Sequence, residues 1–189
     1  MSRDTLIRRA PLLVLVALVL IFAAFNPNFV SLRNMGRIAI AATPPLIVAI
    51  GVTFIIIMGS IDLSMEGTVS VCAVVFGLAF LAWGGTVLSQ AWLAVPLTLV
   101  PGAGLGLLNG LVQVVLRIPS FMAPLAMGFV GTGVAVLITG GEKIFIEDAT
   151  FRSLLTTRVL GFPIMCQLAV VFLLIAWFIQ SWTRLRRNF

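Results

Sequence analysis

Six apolar stretches, separated by short polar connectors, run along the 189 residues of the chain. Most of them approach the length of the ~20-residue helix that the hydrocarbon core of a bilayer requires. The pattern predicts an all-α fold, a polytopic transmembrane helical bundle that forms a single transmembrane domain over residues 1–189. The expected spans are residues 12–25, 38–59, 64–83, 92–115, 121–138 and 163–182.

The distribution of basic residues predicts the orientation of this bundle. Six spans place both ends of the chain on one side of the membrane, and both ends are rich in arginine. On this count the cytoplasmic side holds Arg3, Arg8, Arg9, Arg117, Arg184, Arg186 and Arg187, and the outer side holds Arg33, Arg37, Lys143, Arg152 and Arg158. The positive-inside rule therefore favours cytoplasmic termini, although Arg33 and Arg37 go against it.

Composition excludes several classes of protein. The chain is 61% hydrophobic and 10% charged, whereas a soluble domain carries about a quarter charged residues. It has no histidine, and its two cysteines, Cys72 and Cys166, lie in separate apolar runs, so neither a metal site nor a disulfide is predicted. The net charge of +6 comes from arginines at the ends of spans, which indicates contact with a lipid bilayer and no nucleic-acid partner. No cofactor is predicted.

Three polar residues follow directly on an apolar run at the junction of the second and third spans. Residues 51–59 (GVTFIIIMG) lead into Asp62, Ser64 and Glu66. Asp62 has two possible roles: it could cap the third helix as an N-cap residue, or it could contact a substrate. Glu66, in the first turn of that helix, is favourably placed for the helix dipole. Thr53 is a further polar candidate within the second span.

The fourth span combines a glycine repeat with two amides. Gly102, Gly106 and Gly110 recur every four residues, so they share one helical face and predict a close helix-packing seam. Asn109 and Gln113 lie one turn apart, where they could either hydrogen-bond another helix or line a polar path.

Three other features carry structural expectations. Pro44 and Pro45 predict a kink or a break in the second span. Gly128, Gly131 and Gly133 allow close packing of the fifth span. The long connector at residues 142–162 mixes charged and apolar side chains, which predicts an external segment that lies on the surface or is partly packed.

Several motifs, in order, give the chain a family resemblance. Residues 51–64 (GVTFIIIMGSIDLS) resemble the GMTxVIxxGGIDLSVG stretch of the permease subunits of ribose-type ABC importers, which include galactoside, xylose and autoinducer-2 permeases. Residues 106–110 (GLLNG) and 118–122 (IPSFM) resemble the GxxNGxxxxxxxIPAFIxTLG segment of that family. Residues 137–141 (LITGG) and 183–185 (TRL) resemble two further family segments, LTxG and T-x-x-G-R.

The chain also departs from the family pattern. Ser60 replaces the second of two paired glycines, Glu66 replaces a glycine, and Pro124 stands where threonine is usual. Family members generally exceed three hundred residues, so we expect the chain to correspond to the N-terminal portion of a longer permease.

The resemblance implies a permease component of an ABC importer in the bacterial inner membrane, which moves a sugar or related small polar solute by alternating access. It implies cytoplasmic ATPase subunits, a periplasmic solute-binding protein and a second permease subunit as partners. No Walker lysine motif and no nucleophile–base pair is visible, so no catalytic residue is predicted and ATP hydrolysis would belong to the partners. The candidate pathway residues are Asp62, Ser64, Asn109, Thr53 and Gln113.

Two alternatives remain at this point. A six-helix substrate-capture subunit, like those of energy-coupling-factor vitamin importers, has about this length and span count. An inactive, truncated permease fragment would also show the same motifs.

Overall fold

The computed structural model describes residues 3–159 and 161–182, with side chains from residue 9 onward in those ranges. The predicted cytoplasmic arginines at positions 184, 186 and 187 and the motif at residues 183–185 lie outside the described residues, as do the side chains of Arg3 and Arg8. The described part is almost entirely helical. Its helices are α1 (Arg3–Phe25), α2 (Leu32–Ile57), α3 (Met65–Ala82), α4 (Ala94–Leu116), α5 (Met122–Thr139), α6 (Ala149–Thr156) and α7 (Ile164–Trp182).

Five of the predicted spans are confirmed as helices that are long and apolar enough to cross a membrane. They are α2, α3, α4 together with the 3-10 turn Gln90–Leu93 before it, α5 and α7. The first predicted span is helical throughout, but its described apolar part, Arg9–Phe25, is shorter than the 18 residues of α3 and α5. The all-α class is therefore confirmed, with one small exception. Two-residue strands β1 (Arg158–Val159) and β2 (Phe162–Pro163) pair antiparallel before α7.

Of the kink or break that we expected at Pro44 and Pro45, the break does not occur, because α2 continues through both residues from Leu32 to Ile57. The kink stays a prediction. The two prolines lack the N–H groups that would donate to two carbonyl groups in the preceding turn, so two helical hydrogen bonds are lost. Packing against a neighbouring helix compensates for the loss of these bonds. Helix α2 packs against α7. Buried Thr43, directly before the prolines, donates a hydrogen bond to the Ala39 carbonyl at 2.8 Å and lies 3.6 Å from Cys166 Sγ of α7.

Helices α3 and α5 touch through their backbones at three glycines. A Cβ atom on Gly131 would lie 2.8 Å from both Cα and the carbonyl carbon of Gly67, and one on Gly67 would overlap the Gly128 carbonyl. Gly128 and Gly131 therefore pack as predicted. Gly133, by contrast, has open space where its side chain would be. Missing side chains at the crossing allow the two backbones to approach more closely than alanine would permit.

The connector at residues 142–162 is partly packed, as predicted. Phe151 of α6 lies against Phe76 and Phe80 of α3, with ring centroids 5.7 and 5.2 Å apart. Asp148 caps α6 by accepting hydrogen bonds from the Thr150 and Phe151 amides, and it also accepts one from the Val87 amide at 3.0 Å. Asp148 thus ties this connector to the one between α3 and α4.

Three connectors meet at one end of the bundle. The Asp148 bond to Val87 joins two of them, and the Arg158 guanidinium packs against Gly36 near the start of α2. Alternating spans require this arrangement, because the connectors before α2, after α3 and after α5 all belong to the same side. We call this end the connector end and refer to the other, which carries the α2–α3 loop, as the loop end.

Asp148 predicts a pH dependence at the connector end. The backbone hydrogen bond from Val87, followed by those from Phe151 and Thr150, lowers the pKa of Asp148 below its ordinary value of 3.8, although partial burial opposes the shift. A lowered folded-state pKa stabilises the fold above pH 3.8, and this contribution is lost as the pH falls through the folded-state pKa.

We therefore expect the thermal unfolding temperature of the protein to fall as the pH is lowered from about pH 5 to about pH 2, and to fall less in Asp148→Ala. Glu147→Ala, at the exposed neighbouring position, is the matched control and should follow the unchanged protein. An identical loss in Asp148→Ala would show that another group governs the acid sensitivity.

A candidate polar pathway site at the loop end

A chain of hydrogen bonds runs from the α2–α3 loop into α4 within an otherwise apolar bundle. Asp62 Oδ1 accepts hydrogen bonds from the Ser64 amide at 2.7 Å and from the Ser64 hydroxyl at 2.6 Å. Asn109 donates from Nδ2 to Ser64 Oγ at 3.3 Å, and Gln113 donates from Nε2 to Asn109 Oδ1 at 3.3 Å. Four of the five predicted pathway residues are therefore linked. We call Asp62, Ser64, Asn109 and Gln113 the polar chain.

Burial makes these hydrogen bonds important. Ser64 and Asn109 are each 5% exposed, so water does not compete for their polar groups. A buried polar group without a hydrogen-bond partner lowers the stability of the fold by about 1–3 kcal/mol. Ser64 and Asn109 avoid this cost because they hydrogen-bond to each other. In the described residues, every buried side-chain nitrogen and oxygen has a hydrogen-bond partner.

Local backbone geometry places the loop beside α4 and α5. Helix α2 ends at Ile57, and Gly59 then adopts a left-handed conformation with φ of 74°, which turns the chain out of the helix. The end of the loop lies against α5, where a Cβ on Gly128 would be 2.9 Å from the Leu63 carbonyl oxygen and 3.6 Å from the Ser64 Cα. Glycine at position 128 thus gives the loop room to bring Ser64 to Asn109.

The predicted capping role of Asp62 requires a correction of position. The N-cap of α3 is Ser64, and Asp62 lies two residues before it. The Ser64 side chain makes no capping bond; its hydroxyl donates to Asp62, and its oxygen accepts from Asn109. Asp62 orders the residue at which the helix begins without itself occupying the cap. Glu66 does lie in the first turn of α3, as expected, and its favourable interaction with the helix dipole stays a prediction.

Thr53 is the one predicted pathway residue that the structure places apart from the polar chain. Its hydroxyl donates to the Ala49 carbonyl of its own helix at 2.7 Å. It lines a separate cleft of about 240 Å³ between α2 and α7, together with Trp177 and Gln180.

A groove of about 280 Å³ borders the polar chain between α2 and α3. Asp62, Ser64 and Thr68 contribute polar groups to its wall, and apolar residues of α2 form the opposite side. Thr68 was not singled out from the sequence, since a threonine one turn after Ser64 gives no signal of its own. Of these three residues, Ser64 is buried, so the groove is bordered by the half-buried side chains of Asp62 and Thr68.

The predicted glycine seam on α4 is only partly correct. A Cβ on Gly102 would lie 3.2 Å from Cys72 Sγ, so that glycine does pack closely against α3. Nothing lies within 4 Å of the corresponding positions at Gly106 and Gly110. Gly106 instead lines the groove beside Asp62. Repeat spacing identifies residues on a common helical face but not the helix that packs against that face. Gly67 of α3, which does pack closely, belongs to no glycine repeat and was missed for that reason.

Known proteins resemble this chain along most of its length. The family model for the branched-chain amino acid transport system / permease component matches residues 34–188. A ribose import permease protein of Haemophilus influenzae is 27% identical over 186 residues, which cover 96% of this chain and 56% of that protein. The ribose import permease protein of Escherichia coli K12 is 29% identical over 194 residues, covering 98% and 58%.

An autoinducer 2 import system permease protein of Yersinia enterocolitica is 32% identical over 145 residues, which cover 77% of this chain and 39% of that protein. The chain therefore spans about half the length of these relatives. No solved structure matches it. Because the family model covers most of the chain, including the loop and the polar chain, the protein belongs to the family of ABC transporter permease components of the branched-chain amino acid type.

Proposed function

We propose that this chain is a membrane-spanning permease component of an ABC importer for a sugar or a related small polar solute. The observation that carries the proposal is the polar chain, which links one carboxylate, one hydroxyl and two amides within an apolar bundle and borders a groove through Asp62 and Ser64. Sugars present several hydroxyl groups, each of which requires hydrogen-bond partners when water is removed. Relatives whose names specify ribose import support this substrate class.

The mechanism that we propose is alternating access. The polar chain joins a non-helical loop to α4, and polar contacts between elements of a membrane bundle are exchanged when the elements move. Binding energy supplied from outside would favour one of two packings and so open the groove to one side at a time. In this scheme the loop end, with Arg117, faces the cytoplasm, and the connector end faces the periplasm.

The partners follow from the same proposal. Cytoplasmic ATPase subunits would supply energy, a periplasmic solute-binding protein would deliver the solute, and a second permease subunit would complete the pathway. The chain itself would perform no covalent chemistry. Its contribution is a membrane passage whose polar groups replace the hydration shell of the solute.

The direct test is transport by the assembled importer in proteoliposomes. With its ATPase subunits and binding protein present, we expect ATP-dependent accumulation of labelled sugar, with ribose as the first probe. Accumulation that is absent for ribose and for other pentoses and hexoses would overturn the proposal, as would accumulation that does not depend on ATP.

Asp62→Asn tests the role of the carboxylate within the pathway. The asparagine carbonyl still accepts both hydrogen bonds from Ser64, so the start of α3 is preserved while the charge is lost. Charge-assisted hydrogen bonds are about twice as strong as neutral ones, so we expect uptake to fall roughly five-fold at unchanged membrane abundance. Glu66→Gln, which neutralises an exposed carboxylate in the first turn of α3, should transport normally. Unchanged uptake in Asp62→Asn would limit Asp62 to ordering the helix start.

A further inference from the structure

The turn between α1 and α2 encloses a cleft of about 650 Å³ at the connector end. Its wall combines two guanidinium groups, from Arg33 and Arg37, with asparagine side chains of the turn and the apolar side chains of Phe29 and Ile38. The proposed transport function uses none of these residues. The cleft is therefore a separate feature that requires its own explanation.

Hydrogen bonds hold the wall of the cleft in place. Asn26 Oδ1 accepts from the Asn28 amide at 3.0 Å, and Asn34 Nδ2 donates to the Phe29 carbonyl at 2.8 Å. The Phe29 ring stacks on Phe22 of α1, with centroids 5.6 Å apart. The turn is thus preformed, and a ligand would not have to order it.

The charges around the cleft are uncompensated. Arg33 and Arg37 are four residues apart on α2 and therefore lie on one helical face, where like charges repel. The Arg158 guanidinium, against Gly36, adds a third cation to the same two helical turns. No carboxylate lines the cleft, and within the described part of the chain none of these arginines forms an ion pair. Cations near a helix start are also unfavourable for its dipole, so an anion would stabilise this arrangement.

The depth of the cleft in the bilayer specifies the kind of anion. Arg37 directly precedes the apolar run that begins at Ile38, so in a membrane-spanning α2 we expect both guanidinium groups at the level of the lipid headgroups. Phe29 and Ile38 line the same cleft and offer an apolar surface beside the charges. A soluble anion or an acidic protein surface would use only the guanidinium groups.

We propose that this cleft binds an anionic phospholipid, whose phosphate pairs with Arg33 and Arg37 while its acyl chain contacts Phe29 and Ile38. The inference accounts for two arginines placed against the positive-inside rule. Basic pockets between membrane helices on the cytoplasmic side bind phosphate headgroups through this kind of charge pairing, and we extend the same chemistry to the connector end.

The test measures binding of phosphatidylglycerol to the delipidated, detergent-purified protein by native mass spectrometry. We expect the Arg33→Gln/Arg37→Gln double variant to bind roughly 30-fold more weakly than the unchanged protein, and each single variant roughly five-fold more weakly. Arg152→Gln, at an exposed position of the same connector end outside the cleft, is the matched control and should bind normally. Arg33→Lys/Arg37→Lys should retain most of the binding because it keeps both charges.

Three outcomes would overturn the proposal. Equal affinity in the double glutamine variant would place the lipid elsewhere. Competition by inorganic phosphate at the concentration of the lipid would assign the cleft to a soluble anion. Competition by a hexaglutamate peptide would assign it to an acidic protein partner. The Lys variant provides a folded reference if either Gln variant is poorly produced.

Discussion

Gly131→Ala is expected to destabilise the protein, whereas Gly133→Ala, two residues along the same helix, is expected to stabilise it. The added methyl group at position 131 would meet three backbone atoms of Gly67 at 2.8 to 2.9 Å. No side-chain rotation relieves such a contact, so α3 and α5 must move apart. At position 133 the same methyl group meets nothing within 4 Å.

The two substitutions are expected to change the free energy of unfolding in opposite directions. Overpacking costs about 1–3 kcal/mol, with backbone contacts at the upper end, while alanine in place of glycine gains about 1 kcal/mol in a helix interior. Gly131→Ala should therefore lose about 2 kcal/mol, and Gly133→Ala should gain up to about 1 kcal/mol. For a chain of this size these values correspond to a fall of roughly 4 to 8 °C and a rise of a few degrees in unfolding temperature.

The measurement is thermal unfolding of the purified variants in one detergent. Gly67→Ala, on the opposite side of the contact, should lower the unfolding temperature in the same way as Gly131→Ala. Equal behaviour of the variants at positions 131 and 133 would contradict a close α3–α5 contact. It would also remove the support that this contact gives to the loop beside Gly128.

The second large effect concerns Asn109→Leu, which is expected to reduce ATP-dependent uptake by the assembled importer about 10-fold to 100-fold. Leucine is close to asparagine in shape but cannot bond to Ser64 Oγ or accept from Gln113. The loss of hydrogen bonds at a buried position costs about 1–3 kcal/mol. A cost of this size corresponds to a reduction in uptake of about 10-fold to 100-fold. Membrane abundance should stay near that of the unchanged protein.

Two comparisons make the Asn109 result specific. Thr98→Val, on the same helix, removes a hydroxyl that bonds only to the Ala94 carbonyl of that helix, so uptake should be retained. Ser64→Ala combined with Asn109→Leu should be less harmful than the two single effects added together, because both remove one shared bond. Additive effects would show that the bond does not couple the loop to α4. Uptake at the normal rate in Asn109→Leu would remove Asn109 from the pathway.

The spans could be read from the sequence because the thickness of the bilayer sets a length that an apolar run must match. Helices α3, α5 and α7 begin and end within two residues of the expected bounds for this reason. The members of the polar chain could also be selected as candidates from the sequence, because buried polar groups in a bundle must find hydrogen-bond partners and the spans contain few polar residues. Residue type, position and the family resemblance named Asp62, Ser64, Asn109 and Gln113 as candidates together with Thr53, but they did not predict which of these residues bond to one another.

Other features depended on which helices become neighbours, and periodicity does not specify a neighbour. Gly102 packs against Cys72, whereas Gly106, on the same face, borders a groove. Pro44 and Pro45 lie within the continuous helix α2, which packs against α7. The hydrogen bond between Asp148 and Val87 joins residues that are 61 positions apart in the sequence, so no local sequence pattern predicts it.

The sequence by itself indicated that residues 51–67 form the junction of two membrane helices and hold the carboxylates of Asp62 and Glu66 there, because charge cannot be left in lipid. Only the tertiary structure decided what these groups do there. It placed Ser64 at the helix start, assigned both Asp62 hydrogen bonds to Ser64, and brought Asn109 of α4 within reach. The physical reason is that hydrogen bonds between helices depend on close approach, which Gly67, Gly128 and Gly131 permit only in the folded bundle.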